Sequence, residues 1–303
     1  MQFPYENLVI RFWESVEKLS LGALHPYQMK RLQHARHKAE VEEILHQSKI
    51  EKIKGDLDLL RGVESAPESQ VNTMSAIINQ RNREEKNAIA SIQHAYQQLV
   101  DDSSVDDSSE NNVDSDWLHR WYGYASKVSN EELQQLWGKL LAGEVKRCNS
   151  ISYRLMDFID KLTSKEIDEI TMLLSIVEKK NEIIFRGCGE PMPFFEKNGI
   201  DIDFIQKYTD LGVLSSYTTG AVNVTTNLDF ETFDSFHFAY GDKVIMVTLN
   251  HDKKEKKRIR YYSLGVNGLS LYRLSEYALN KNYLDDLSSD LIKNNMNVES
   301  VGP

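Results

Sequence analysis

The chain has 303 residues, enough for more than one core, because single cores stop growing at roughly 250 to 300 residues. A charged fraction of 27%, a hydrophobic fraction of 41% and a formal net charge of -10 belong to a soluble acidic protein. They exclude attraction of the whole surface to nucleic acid or anionic lipid, so any such binding needs a local patch.

No run approaches the roughly 18 apolar residues of a membrane span. The N-terminal stretch "MQFPYENLVIRFWESVEKL" carries charges every few residues and lacks the apolar core of a signal peptide. Cys148 and Cys188 stand in no CxxC spacing, so neither a disulfide framework nor a thiolate zinc site is signalled. The expected location is the cytoplasm, with both thiols reduced.

A short apolar helix is expected around residues 5 to 19. Residues 27 to 60 are rich in Glu, Lys, Gln, Ala and Leu, contain no proline, and read as a long helix. Its seam runs through Met29, Leu32, Ala39, Ile50 and Ile53, but also through Arg36, Glu43 and His46, so the heptad pattern is broken. After the turn-rich "GVESAPESQ", a second long helix carries Met74, Ile77, Ile78, Ile89, Ile92, Tyr96 and Leu99. An antiparallel helical hairpin is the economical arrangement, and neither helix has enough apolar surface to stand alone. "DDSSVDDSSENNVDSD", residues 101 to 116, holds seven acids and no base and reads as a flexible linker. It lacks the glycine and terminal glutamate of a calcium-binding loop.

Three capped helices follow. Ser129 with Glu132 forms an expected capping box for a helix whose core face is Leu133, Leu136, Trp137, Leu140, Leu141 and Val145. "NSISYRLMDFIDKL" takes Ser150 or Ser152 as its cap and turns Leu155, Phe158, Ile159 and Leu162 inward. Thr163 with Glu166 repeats the box for "LTSKEIDEITMLLSIV". From Glu182 the texture changes: "EIIFRG", then a helix ended by Gly212, then strand-like "AVNVTT", "FHFAYGDKVIMVTL" and "KRIRYYSL", with Tyr240-Gly241-Asp242 as a hairpin turn. "GLSLYRLSEYAL" and "YLDDLSSDLIKN" close the chain as helices.

One residue breaks the pattern. At about 100° per residue, Glu144 falls about 20° from Leu133, inside the apolar arc, so its carboxylate points at the core. An unpaired charge there costs several kcal/mol. Arg154, at the start of the next helix, is the expected partner in a shielded bidentate pair that fixes the angle between the helices. No His, Asp or nucleophile is spaced to make Glu144 a catalytic acid.

"EEKNAIASIQHA", "DWLHRWYGYASKVSNEELQQLWGKLLAGEV", "SISYRLMDFIDKLTSKEID", "NGIDIDFIQKYTDLGVL" and the later "YGD" together resemble the bacterial family known as domain of unknown function 2806. One departure is visible: "VKRCNSIS" stands where such proteins usually carry a Pro-Gly pair in the interhelical turn. The family has no established catalytic residues to carry over, and the resemblance implies a bacterial cytoplasmic protein. The LLAGE helix pair is also similar to elements of abortive-infection proteins, which implies a setting in phage defence.

The expected fold is mostly α with a small α+β part: a long N-terminal helical hairpin (1–100), an acidic flexible linker (101–116), a helical bundle (117–180) and a winged-helix-like domain (181–303). The expected function is that of a non-enzymatic interaction or scaffold protein, self-associating as a homo-oligomer through its N-terminal helices, with no cofactor, metal or membrane. The alternative is nucleic-acid binding through a basic hairpin bearing Lys253, Lys254, Lys256, Lys257, Arg258 and Arg260. A solvated hairpin whose lysines guard a sheet edge is the plainer reading of that segment. An enzyme with a noncontiguous site ranks third. His34 and His37, at i, i+3, need a third ligand to hold a metal and read as a solvated face. His119, His237 and His251 have no ligand-spaced companions. No P-loop, GxGxxG, GxSxG or HExxH motif occurs.

Overall fold

A computed structural model of the protein describes residues 6–19, 31–32, 38–61, 67–101, 112–188, 191–216, 226–229, 235–240, 243–249, 258–274 and 277–301. The fold is mostly helical with a small sheet part, and the chain divides into two compact units, Met1–Asp160 and Lys161–Pro303.

The first unit contains α1 (Glu6–Lys18), α2 (Lys38–Arg61), α3 (Glu68–Asp101), α4 (Ser115–Ala125), α5 (Glu131–Lys146) and α6 (Tyr153–Asp160). Its core forms where the apolar half of α3, with Ala88, Ile89, Ile92, Ala95, Tyr96 and Leu99 all buried, lies along α5. The approach is close because α5 presents Gly138: a Cβ built there would lie 2.7 Å from the His94 Cβ and 2.8 Å from the Ser91 carbonyl oxygen. Phe12 and Trp13 of α1 meet Tyr96, with the Trp13 and Tyr96 ring centroids 5.6 Å apart. Two indoles are tied down by hydrogen bonds, Trp117 Nε1 donating to the Ile151 carbonyl and Trp121 Nε1 to the Trp137 carbonyl, each at 2.9 Å. Such bonds satisfy the polar edge of a buried indole, whereas Trp13 and Trp137 have no partner for Nε1 among the described residues.

The two long helices meet through polar groups. Lys52 pairs with Glu85, and the Asn82 side chain donates to Asp56 at 2.8 Å, so rising numbers on α2 meet falling numbers on α3. Burial lowers the Lys52 pKa from its ordinary value, with Asp56 opposing the shift and Arg81 adding to it. Val41, Ile44 and Leu45 are buried, whereas Ile50, Ile53, Leu57 and Leu59 further along α2, and Met74 and Ile77 on α3, are each at least 41% exposed.

The second unit holds α7 (Ser164–Leu174), β1 (Ile183–Gly187), α8 (Pro193–Lys197), α9 (Ile202–Asp210), β2 (Thr226–Asp229), β3 (Ser235–Tyr240), β4 (Lys243–Leu249), β5 (Arg258–Ser263), α10 (Val266–Leu274), α11 (Lys281–Lys293) and β6 (Met296–Val301). The strands form two antiparallel three-stranded sheets, ordered β1-β5-β2 and β3-β4-β6. β3 and β4 pair with Tyr240 opposite Lys243. Aromatic side chains fill the interior: Phe185, Phe194, Phe195, Tyr240 and Tyr283 are buried, and the Tyr283 hydroxyl donates to the Phe185 carbonyl at 2.8 Å.

The two units part between Asp160 and Lys161. Within the first, α3 completes the core around α5. α7 leaves the bundle for the second unit, where Glu169 takes the Tyr208 hydroxyl and both Glu166 and Glu169 pair with Lys207 of α9. The α7 capping box is present at Thr163 and Glu166. At α5 the cap is Asn130, one residue beyond Ser129, because its side chain reaches the Leu133 N–H at 3.0 Å. Ser152 caps α6.

Candidate functional site

The inward arc of α5 carries Trp137, Leu140, Leu141 and Val145 fully buried, and Glu144 among them is 1% exposed. Its carboxylate does not meet Arg154. Glu144 Oε1 accepts the Asn149 N–H at 2.5 Å, and Oε2 accepts the Ile151 N–H at 2.9 Å and the Ser150 hydroxyl at 3.5 Å. Arg154 is exposed, and the expected pair is therefore replaced by a cap on the α5–α6 turn. The physical reason is the turn itself. Asn149 adopts φ 63°, a left-handed conformation that asparagine tolerates, and this turns successive N–H groups inward onto the acid. Backbone donors compensate a buried carboxylate without the desolvation of a guanidinium.

Burial pushes the Glu144 pKa above the usual carboxylate value, while the N–H groups of Ile151, Asn149 and Ser150 pull it back down. The arrangement holds a turn.

A second interior acid had no role in the sequence reading. Glu178, 0% exposed, accepts from the Lys180 and Asn181 N–H groups at 3.0 and 2.7 Å, from the Asn181 side chain at 2.9 Å, and from the Ala239 N–H at 2.9 Å. It ties the turn before β1 to β3. Its signal in the sequence is slight: a Glu directly after Ile176 and Val177, followed by the polar turn "KKNE".

Of the basic segment, Lys253, Lys254, Lys256 and Lys257 lie outside the described residues. Arg258 opens β5, and Arg260 is half-buried on the same strand, opposite Gly187 of β1 and Asn227 of β2. The expected hairpin between β4 and β5 is not formed. β4 pairs with β3 and β6 while β5 pairs with β1 and β2, so the basic segment joins two different sheets. His34, His37 and His251 lie outside the described residues, whereas His119 and His237 are exposed. Among the described residues no group of three His, Cys, Asp or Glu could hold a metal, and no helix is long and apolar enough to cross a membrane. Neither Cys148 nor Cys188 is in a disulfide.

Fold and site together define a two-unit, mostly helical protein whose fully buried carboxylates fasten turns. The chain belongs to the family described as "Protein of unknown function (DUF2806)", whose model matches residues 76–288. No curated protein and no solved structure matches it.

Proposed function

We propose that the protein is a non-enzymatic interaction or scaffold component that self-associates by pairing the α2–α3 helical hairpin of one copy with that of a second. The observation that carries this reading is the exposure of the α2 seam. Ala39, Glu43, His46, Ile50, Ile53 and Leu57 recur at alternating steps of four and three, and all six face solvent. The residues α2 turns to its own chain form a different stripe, through Val41, Ile44, Leu45, Ser48 and Lys52. A helix with one face packed and a second heptad face open fits another helix. Glu51, Lys54 and Asp58 flank the apolar end. A copy running in the opposite direction, with Ile50 layered on Ile53, brings Lys54 within a turn of the partner copy's Glu51, which is charge complementarity of the kind a two-fold interface repeats twice.

The test is solution mass by light scattering on the full chain and on a variant carrying Ile50→Glu, Ile53→Glu and Leu57→Glu. A dimer or larger assembly that becomes monomeric in the variant is expected. A monomeric parent, or an assembly unchanged by the three charges, overturns the reading.

A second reading is nucleic-acid binding by a winged-helix-like second unit. The order α7, β1, α8, α9, β2 and, after the intervening β3 and β4 of the other sheet, β5, with β1 and β2 on either side of β5, follows the helices and strands of a winged helix with a strand pair inserted, and it supports this reading. The exposed face of α9, the helix such a fold lays in a groove, bears Asp203 and Asp210, and its Lys207 is held by Glu166 and Glu169. Contact with phosphates therefore falls to the 253–260 segment. Reversing Lys253, Lys254, Lys256 and Lys257 to Glu should abolish a salt-dependent DNA or RNA mobility shift, and the absence of any shift at low salt retires this reading.

A further inference from the structure

α2 is held firmly along one half of its length and loosely along the other. Val41, Ile44, Leu45 and Ser48 anchor the first half, each at most 2% exposed. Across residues 50–59 every apolar side chain, Ile50, Ile53, Leu57 and Leu59, is at least 41% exposed. Two polar contacts tie this half to α3. Lys52 pairs with Glu85, which Arg81 also engages at 3.2 Å, and Asn82 donates to Asp56 while its own Oδ1 is buried with no hydrogen-bond partner among the described residues. Such ties are weak, because desolvation of the ammonium and the stranded amide oxygen offset much of what the contacts contribute. The lowering of the Lys52 pKa by burial marks that desolvation. Gly55 then interrupts the loose half with the poorest helix former after proline, and a Cβ built there meets nothing within 4 Å. A short helical stretch with no apolar face packed is marginal in water.

Given the antiparallel pairing of α2 seams proposed above, on which it rests, we propose that the end of α2, residues 55–61, opens locally in a single copy and is closed by the second, so that helix closure and self-association are one coupled event whose strength Gly55 sets. Layering Ile50 on the partner's Ile53 places Leu57 opposite the partner's His46, so the loose end of each copy lies along the anchored half of the other. That half is a rigid template, because Ile44 and Leu45 hold it in the core of its own chain. α3 offers the loose end Asn82 and Glu85 in place of an apolar stripe. The ordering cost is therefore met only on pairing, and the affinity falls below what a fully rigid helix with the same seam would reach. Gly55 stands about 200° round the helix from both Ile53 and Leu57, so its side of α2 faces away from the pairing.

The experiment is peptide-resolved hydrogen–deuterium exchange of the full chain at concentrations about tenfold below and about tenfold above the midpoint of association found by light scattering. In the dilute protein the amides of residues 56–61 should exchange at least about tenfold faster than in the concentrated protein, while those of residues 41–48 exchange alike in both. Gly55→Ala should tighten the association at least about threefold, since alanine favours the closed helix in both copies and adds no contact to the seam. The variant carrying Ile50→Glu, Ile53→Glu and Leu57→Glu should keep the fast exchange at both concentrations. Equal exchange of residues 56–61 at both concentrations, in a protein that does associate, overturns the coupling and leaves the pairing standing, as does an affinity unchanged by Gly55→Ala. Protection of residues 56–61 in the triple variant overturns it too, because α3 then closes the segment unaided. A protein that stays monomeric at every concentration removes the pairing itself, and the coupling falls with it.

Discussion

Replacing Glu144 with leucine is expected to destabilise the first unit by about 2–5 kcal/mol, because it leaves the inward-turned N–H groups of Asn149 and Ile151 buried without acceptors. Replacing Arg154 with methionine should cost no more than about 0.5 kcal/mol, since its side chain is exposed and holds no carboxylate among the described residues. A buried ion pair predicts the opposite balance, with roughly 3–5 kcal/mol lost on removing the arginine. All four tryptophans, at 13, 117, 121 and 137, belong to the first unit and are buried, so urea unfolding followed by indole fluorescence reports that unit alone. The pH dependence has a definite sign. Burial raises the Glu144 pKa in the folded state, so protonation favours folding. The contribution is present in full below the unfolded value of about 4.3 and is lost as pH rises through the folded one. The stability difference between the parent and Glu144→Gln is therefore wider at acid than at neutral pH. A large loss in Arg154→Met contradicts the cap.

What could be read from sequence was local, and what could not was a choice among distant partners. The apolar arc of α5 and the Thr163–Glu166 box depend on residues three and four apart, and helical geometry alone places them. Helical geometry also turned Glu144 inward. It could not name the partner, because the donors are backbone N–H groups that every turn possesses and only the left-handed Asn149 aims them at the acid. The strands show the same division. "FHFAYGDKVIMVTL" reads as a hairpin because the pairing is short-range. The adjacent "KRIRYYSL" looks like its continuation yet pairs with Ile183–Gly187, some seventy-five residues earlier. "MNVESV" forms β6 although Asn, Glu and Ser between its two Val and an Asn-rich entry give it weak strand character, and β4 supplies the stability it lacks alone. Both halves of α3 carry apolar residues at helical spacing, so the spacing alone does not announce that one half enters the core and the other carries Met74 and Ile77 into solvent.

Gly138 gives the second large effect. A glycine inside a helix is worth about 1 kcal/mol less than alanine, so Gly138→Ala gains from propensity alone. It should nevertheless destabilise the first unit by about 3 kcal/mol, because overpacking a filled interior outweighs that gain. The added Cβ meets the His94 Cβ at 2.7 Å, the Ser91 carbonyl oxygen at 2.8 Å and the Ala95 nitrogen at 2.9 Å. Two of the three are main-chain atoms of α3, which cannot rotate away, so the helices must separate along their whole line of contact. Separation opens space around Ile92 and Leu141, where dispersion contacts fall off within fractions of an ångström. Gly123 on α4 is the matched control: nothing lies within 4 Å of a Cβ built there, so Gly123→Ala should stabilise by about 0.5–1 kcal/mol. Opposite signs from the same chemical change, read by the same indole signal, isolate the close crossing of α3 and α5 as the cause. Equal stabilisation of both variants would mean that α3 does not approach α5 as closely as its Ser91 and Ala95 backbone requires.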